Sequence, residues 1–206
     1  MSAILETKSS AENKTINNAG AEIKQRLITV AVYDKMIEHG ILNERDNLEL
    51  LNGVLIEKMT KGIRHAALND LIEDLLREKL GHKVYVRLQN PIVLDDFSEP
   101  EPDIVLCKPP RQNYFKRHPQ PADIFLIVEI SDSAVAYERN AKSLAYARAG
   151  ISQYLMINVQ AETVENYREP SADGYGFKQT LRAGQTFNLV AFTDIEINVD
   201  EFSLKS

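Results

Sequence analysis

Five consecutive apolar residues, Ile124-Phe125-Leu126-Ile127-Val128, run directly into an acid, Glu129. An uninterrupted apolar run of this length, bounded by polar residues, reads as a strand buried on both faces. A carboxylate at the end of such a strand is costly to desolvate unless something compensates it. A second acid is placed alike: Asp103 follows Glu99-Pro100-Glu101-Pro102 and precedes the apolar Ile104-Val105-Leu106-Cys107. Two like charges about 4 Å apart repel by roughly 4 kcal/mol at an effective dielectric near ~20. A shared divalent cation reverses that sign, and carboxylate oxygens suit Mg²⁺ or Mn²⁺. The pair therefore asks for a metal, a proton or a lysine, and Lys142 follows on an expected helix.

The rest of the chain predicts what surrounds those strands. Asn52-Gly53 between the apolar runs Leu48–Leu51 and Val54–Ile56 predicts a hairpin, because both turn positions need positive φ. Leu68, Leu71, Ile72, Leu75, Leu76 and Leu80 recur at helical spacing and predict an amphipathic helix over 64–80. Short helices are expected over 31–39 and 138–149, each followed by a glycine, Gly40 or Gly150. Residues 84–94 predict a strand pair or one long bent strand, with Pro91 at an edge or bulge. Further strands are expected over 154–159, 163–167, 175–181 and 195–199. The order of elements is α+β with a mixed sheet. Residues 1–26, polar and rich in Ser, Asn, Lys and Ala, are expected to be a mobile tail, with one domain over 27–206.

Composition narrows the class. A chain of 206 residues with 44% hydrophobic and 26% charged residues can bury a sizeable core as an ordinary globular domain. No apolar run approaches the ~20 residues of a membrane helix, so no membrane partner is expected. No basic cluster precedes an apolar stretch at the N-terminus, so no secretory leader is expected. The single Cys107 leaves no internal disulfide and no Cys-rich zinc site, and the cytoplasm is the expected compartment. A net charge of -6 argues against non-specific nucleic-acid binding by the whole surface. One local segment differs: residues 108–118 combine Lys108, Arg111, Lys116, Arg117 and His118 with Tyr114 and Phe115 and carry no acid. That mix fits a nucleic-acid surface or a solvated loop equally.

Strand alternation places Phe125, Ile127, Glu129 and Ser131 on one face, and Asp103 with Val105 and Cys107 on another strand's face. If the two strands pair, Asp103 and Glu129 converge at one end of the sheet. The carbonyl of Ile130 would then offer a neutral oxygen ligand, and Lys142 could fold back toward Glu129. Two carboxylates, a carbonyl and a lysine suit metal-assisted hydrolysis of a phosphodiester. His65, at the start of the Leu-rich helix, is expected to face inward, as a core or cap residue or as a contact to substrate phosphate. Gln89 could donate to a phosphate or bridge strands, and Ser131 shares the Glu129 face as a substrate-contact candidate. The alternative for Glu129 and Lys142 is an ion pair that only closes the sheet on the helix.

At these residues the chain resembles a known family. Glu49-Leu50-Leu51-Asn52-Gly53, His65-Ala66, Gln89-Asn90-Pro91-Ile92, Glu99 through Ile104, Val128-Glu129-Ile130-Ser131 and Lys142 through Ile151 look like the bacterial putative restriction endonuclease family of the PD-(D/E)XK nuclease superfamily. Any one of these stretches is weak; their order and spacing together are specific, and they cover most of residues 30–160. The resemblance implies a restriction-endonuclease-like fold, a mixed β-sheet flanked by helices. It implies a Mg²⁺-dependent phosphodiesterase, with Asp103 and Glu129 as metal ligands and Lys142 as the catalytic lysine. It casts Glu49 as the family's N-terminal acid, able to support a second metal or orient a water. The superfamily lysine two residues after the glutamate is replaced here by Ser131, and Lys142 stands in for it. Leu155 and Asn158 stand where relatives tend to have Trp and Asp. By analogy with the superfamily, nucleic acid, DNA first, is the expected partner and a homodimer the expected assembly. The alternative is a nuclease-fold relative with little or no catalysis that binds nucleic acid or protein.

Overall fold

The computed structural model describes residues 14–18, 21–58, 61–131 and 136–203. Part of the expected N-terminal tail pairs: β1 (Lys14–Asn18) and β2 (Ala21–Gln25) form an antiparallel hairpin, while residues 1–13 lie outside the described ones. Helix α1 (Val30–Glu38) starts at Thr29, whose hydroxyl accepts from the Val32 N–H at 3.3 Å. Strands β3 (Leu48–Leu51) and β4 (Val54–Glu57) form the predicted hairpin. Its turn residues Asn52 and Gly53 have φ of 51° and 75°, the left-handed values the turn requires.

Helix α2 (Ile63–Leu80) buries His65, Leu68, Asn69, Ile72, Leu76 and Leu80, one stripe at helical spacing. Each aliphatic side chain in that stripe contributes ~2 kcal/mol of burial. Then follow β5 (Tyr85–Leu88), β6 (Ile104–Cys107), β7 (Ile124–Ser131), α3 (Ala136–Arg148), β8 (Gln153–Asn158), β9 (Thr163–Ser171) and β10 (Gly174–Leu181). Two last strands, β11 (Thr186–Leu189) and β12 (Phe192–Asn198), pair with each other.

Six strands make one mixed sheet in the order β10-β9-β8-β7-β6-β5. Only β7 and β8 run parallel, and α3 is the crossover between them that parallel neighbours need. One face is covered by α2 and the β11–β12 unit: Leu68, Ile72, Leu76, Phe187, Ile197 and Phe202 share a core with Leu126, Val128 and Ile130. The other face is covered by α3 and the β3–β4 hairpin, where Tyr146, Ala145 and Leu51 pack with Val105, Ile127 and Tyr154. This is the mixed sheet flanked by helices that the sequence led us to expect.

Three local features depart from expectation. Strand β5 stops at Leu88 because Gln89 takes φ of 48°, so the stretch to Leu94 leaves the sheet instead of continuing as a bent strand. Phe125 does not share the face of Ile127 and Glu129. The β6–β7 register pairs Leu106 with Leu126 but Cys107 with Ile124, and the extra residue turns Phe125 to the α2 side. Strand β11 was not expected at all; its alternation of exposed Thr186 and Asn188 with buried Phe187 and Leu189 is too short to stand out.

Candidate active site

The β6–β7 register sets the site. Ile104 opposes Val128, so the acids just outside, Asp103 and Glu129, come to the same end of the antiparallel pair. Both are buried, as are Glu49 on β3 and Lys142 in the middle of α3. The Lys142 ammonium lies 3.1 Å from Glu129 Oε1 and 2.9 Å from Glu49 Oε1, joining the hairpin, the sheet and the helix through one cation. Tyr146, one helical turn further along α3, donates its hydroxyl to the same Glu129 Oε1 at 2.6 Å. Glu49 Oε2 accepts from the Glu101 N–H at 3.0 Å, which fixes the Glu-Pro-Glu-Pro segment against the hairpin.

Asp103 is held from a different side. The first turn of α2 brings His65 Nε2 to 3.1 Å from Asp103 Oδ2. The Ile130 N–H donates to that oxygen at 2.9 Å, and Lys61 Nζ approaches Oδ1 at 3.2 Å. Burial alone would raise the Asp103 pKa. The His65 hydrogen bond and charge, the Ile130 N–H and Lys61 outweigh it and hold the carboxyl below its usual range. Glu129 goes the other way: burial pushes it up to about 7 against the pull of Lys142, with Asp103 and Glu49 adding repulsion. Burial would likewise lower Lys142, but Glu129 and Glu49 hold it firmly as the ammonium. Burial and the neighbouring Glu129 push the Tyr146 phenol well above its ordinary value.

The structure thus brings Glu49, Asp103, Glu129, Lys142 and His65 together. It shows the Ile130 backbone at the site through its N–H, bound to Asp103. Ser131 ends β7 opposite Asn158, partly exposed. Gln89 is exposed, and its backbone N–H donates to the Asp103 carbonyl at 3.0 Å. Two further residues belong to the cluster without having been singled out. The side chain of Lys61 is 37% exposed, yet its amine reaches Asp103. Tyr146 carried a usable signal, since it follows Lys142 by four residues and so lies on the same face of a helix.

Among the described residues, no three His, Cys, Asp or Glu side chains form a ready metal cage. Mg²⁺ does not require one: it keeps several waters and binds through one or two carboxylates together with substrate phosphate. The hard oxygens of Asp103 and Glu129 at one strand end fit that mode. Among the described residues, Asp103 Oδ1 meets a partly exposed lysine, Lys61, a contact that another cation could replace.

The sheet order and its flanking helices are those of a restriction-endonuclease-like fold. The chain belongs to the putative restriction endonuclease family Uma2, whose model matches residues 31–200. Its fold is similar to the crystal structure of a putative nuclease belonging to DUF820 from Anabaena variabilis ATCC 29413. That likeness has a TM-score of 0.67 and 16% sequence identity, and covers 85% of this chain and 97% of that one. At such identity it speaks for the fold alone. No curated protein matches the chain. No described helix is long and apolar enough to cross a membrane.

Proposed function

We propose that this protein is a metal-dependent nuclease that hydrolyses phosphodiester bonds of nucleic acid, with DNA as the substrate. The observation that carries the reading is the ammonium of Lys142 between Glu49 and Glu129 beside the buried Asp103. Asp103 and Glu129, with the Ile130 carbonyl, would hold Mg²⁺ or Mn²⁺. A bound divalent ion supplies Lewis-acid polarisation of a phosphoryl oxygen and a water of lowered pKa. Lys142 stays protonated, so it serves as a charge and hydrogen-bond donor to phosphoryl oxygen rather than as a base. Glu49 and Tyr146 hold Lys142 and Glu129 in register with each other. His65 and the Ile130 N–H orient Asp103 by occupying Oδ2, which leaves Oδ1 as its outward atom.

A second reading, a nuclease-fold module that binds without cutting, is favoured by one observation. Lys142 is already bracketed by two carboxylates and so balances charge inside the fold. Cleavage of labelled single- and double-stranded DNA with Mg²⁺ and then Mn²⁺ separates the two. Metal-dependent cutting lost in Glu129→Ala and Lys142→Ala supports the nuclease. A metal-dependent rise in Tm that Asp103→Ala abolishes, without cutting of any nucleic acid, supports the module.

A further inference from the structure

Two lysines touch the acids of the site, and they are held differently. Lys142 is bracketed by two carboxylates, Glu129 at 3.1 Å and Glu49 at 2.9 Å, and its side chain is 11% exposed. Lys61 meets one carboxylate oxygen among the described residues, Asp103 Oδ1 at 3.2 Å, and its side chain is 37% exposed. A partly hydrated ion pair of the second kind is worth little and opens readily. Asp103 keeps its place when Lys61 leaves. The His65 Nε2 contact at 3.1 Å and the Ile130 N–H at 2.9 Å are both on the other oxygen, Oδ2. The site therefore carries one fixed cation and one exchangeable cation.

Lys61 lies between β4 and α2, immediately before Gly62, the N-cap of α2. Gly62 makes no side-chain cap, and the first turn of this 18-residue helix carries no acid. The positive end of α2 thus adjoins the Lys61 backbone uncompensated by a carboxylate of that turn. A divalent ion and an ammonium cannot both sit on Oδ1, because like charges in contact repel. An ion that takes Oδ1 releases Lys61, whose tether keeps it within one side-chain length of Asp103 and of the start of α2. There its charge adds to that of the helix end, and phosphate is the matching guest.

We propose that Lys61 is a substrate-phosphate residue held in reserve. In the metal-free protein its ammonium occupies the outward oxygen of Asp103. When a divalent ion takes that oxygen, Lys61 turns to a phosphate of the nucleic-acid strand at the start of α2. The proposal rests on the reading of the acid cluster as a metal-dependent nuclease site. It makes binding ordered: Lys61 serves the strand only once the ion is in place, so metal and strand strengthen each other's binding.

The first test titrates Mn²⁺ into the metal-free full chain by calorimetry. Lys61→Met should bind Mn²⁺ about three- to fivefold more tightly than wild type, the upper part of what such an ion pair is worth. Lys61→Ala should read the same, which excludes a packing effect of methionine. Lys58→Met removes a cation from the same connection, but one paired with Glu101 at 2.7 Å, and should stay within about 1.5-fold of wild type. The second test follows a labelled DNA duplex by fluorescence anisotropy against KCl concentration, in EDTA and in Ca²⁺. In Ca²⁺ the slope of log Kd against log salt should be shallower in Lys61→Met by about 0.9, one phosphate contact, and Lys61→Arg should restore it. In EDTA the slopes should coincide. Mn²⁺ affinity unchanged in Lys61→Met, or raised equally in Lys58→Met, overturns the proposal and leaves the metal site standing. Slopes that coincide in Ca²⁺, or differ as much in EDTA, overturn the transfer to phosphate. Wild type that binds no Mn²⁺, or binds it equally well as Asp103→Ala, overturns the metal-dependent nuclease reading and the proposal with it.

Discussion

Replacing Lys142 with methionine tests the energetics of the site directly. The substitution keeps the volume of the side chain and removes its charge, leaving the buried carboxylates of Glu49 and Glu129 without their shared cation. Removing one partner of a buried ion pair costs about 3–5 kcal/mol. In a protein of this size, 1 kcal/mol moves Tm by roughly 2–4 °C, so the loss should be roughly 6–20 °C. The loss must depend on pH. Glu129 has a folded pKa of about 7 against an unfolded value near 4.5. A group raised on folding adds stability below its unfolded pKa and loses it as pH rises through its folded pKa. That difference alone is worth ~3 kcal/mol at 1.36 kcal/mol per unit. Lys142 lowers the Glu129 pKa, so without it the carboxyl rises further and is protonated at pH 5. Thermal melts in EDTA should therefore show a smaller deficit for Lys142→Met near pH 5, where only Glu129 has been relieved, than near pH 8. Adding Glu129→Gln should restore part of the loss at pH 8. Equal deficits at both pH values, or a shift below about 2 °C at pH 8, would refute the view that Lys142 neutralises a buried carboxylate.

Tyr146→Phe removes the 2.6 Å hydrogen bond to Glu129 and should cost ~1.5–3 kcal/mol in denaturant unfolding while pushing the Glu129 carboxyl further up, read by infrared or NMR titration. Gly53→Ala should destabilise by more than 1 kcal/mol (order of magnitude for a Cβ at positive φ), because the new Cβ would stand 2.5 Å from that of Leu27; chemical unfolding that matches wild type would count against this turn geometry. Cys107 is buried with its thiol pushed up to about 12, mainly by burial, so the native protein should react with a thiol reagent only after unfolding.

Much of the architecture can be read from local pattern. The Asn-Gly turn, the Leu-rich stripe of α2 and the all-apolar run of β7 each follow from a rule that acts within a dozen residues. What such rules miss is set by pairing partners. The β6–β7 bulge rotates Phe125 to the other core because Cys107 pairs one residue out of step, and no feature of the Phe125 sequence announces it. The end of β5 follows from Gln89 in the left-handed region, a conformation chosen by the loop that returns to Glu99 and not by glutamine itself. Within the site, Asp103 and Glu129 were legible as acids at strand ends, and Lys142 as a cation on the next helix. The contacts of Lys61 with Asp103 and of Glu101 with Glu49 join segments far apart in the chain and needed the fold to be seen.

The amino-acid sequence alone determined that a carboxylate would be stranded at the end of a buried strand and that its compensation must come from elsewhere in the chain. That follows from desolvation, which acts on Glu129 whatever surrounds it. Only the tertiary structure decided the means of compensation. Antiparallel pairing delivers Asp103, a parallel crossover folds α3 back to deliver Lys142 and Tyr146, and a hairpin from the other end of the chain delivers Glu49. Electrostatic interaction falls with distance in space, not along the sequence, so the fold had to set those few ångströms.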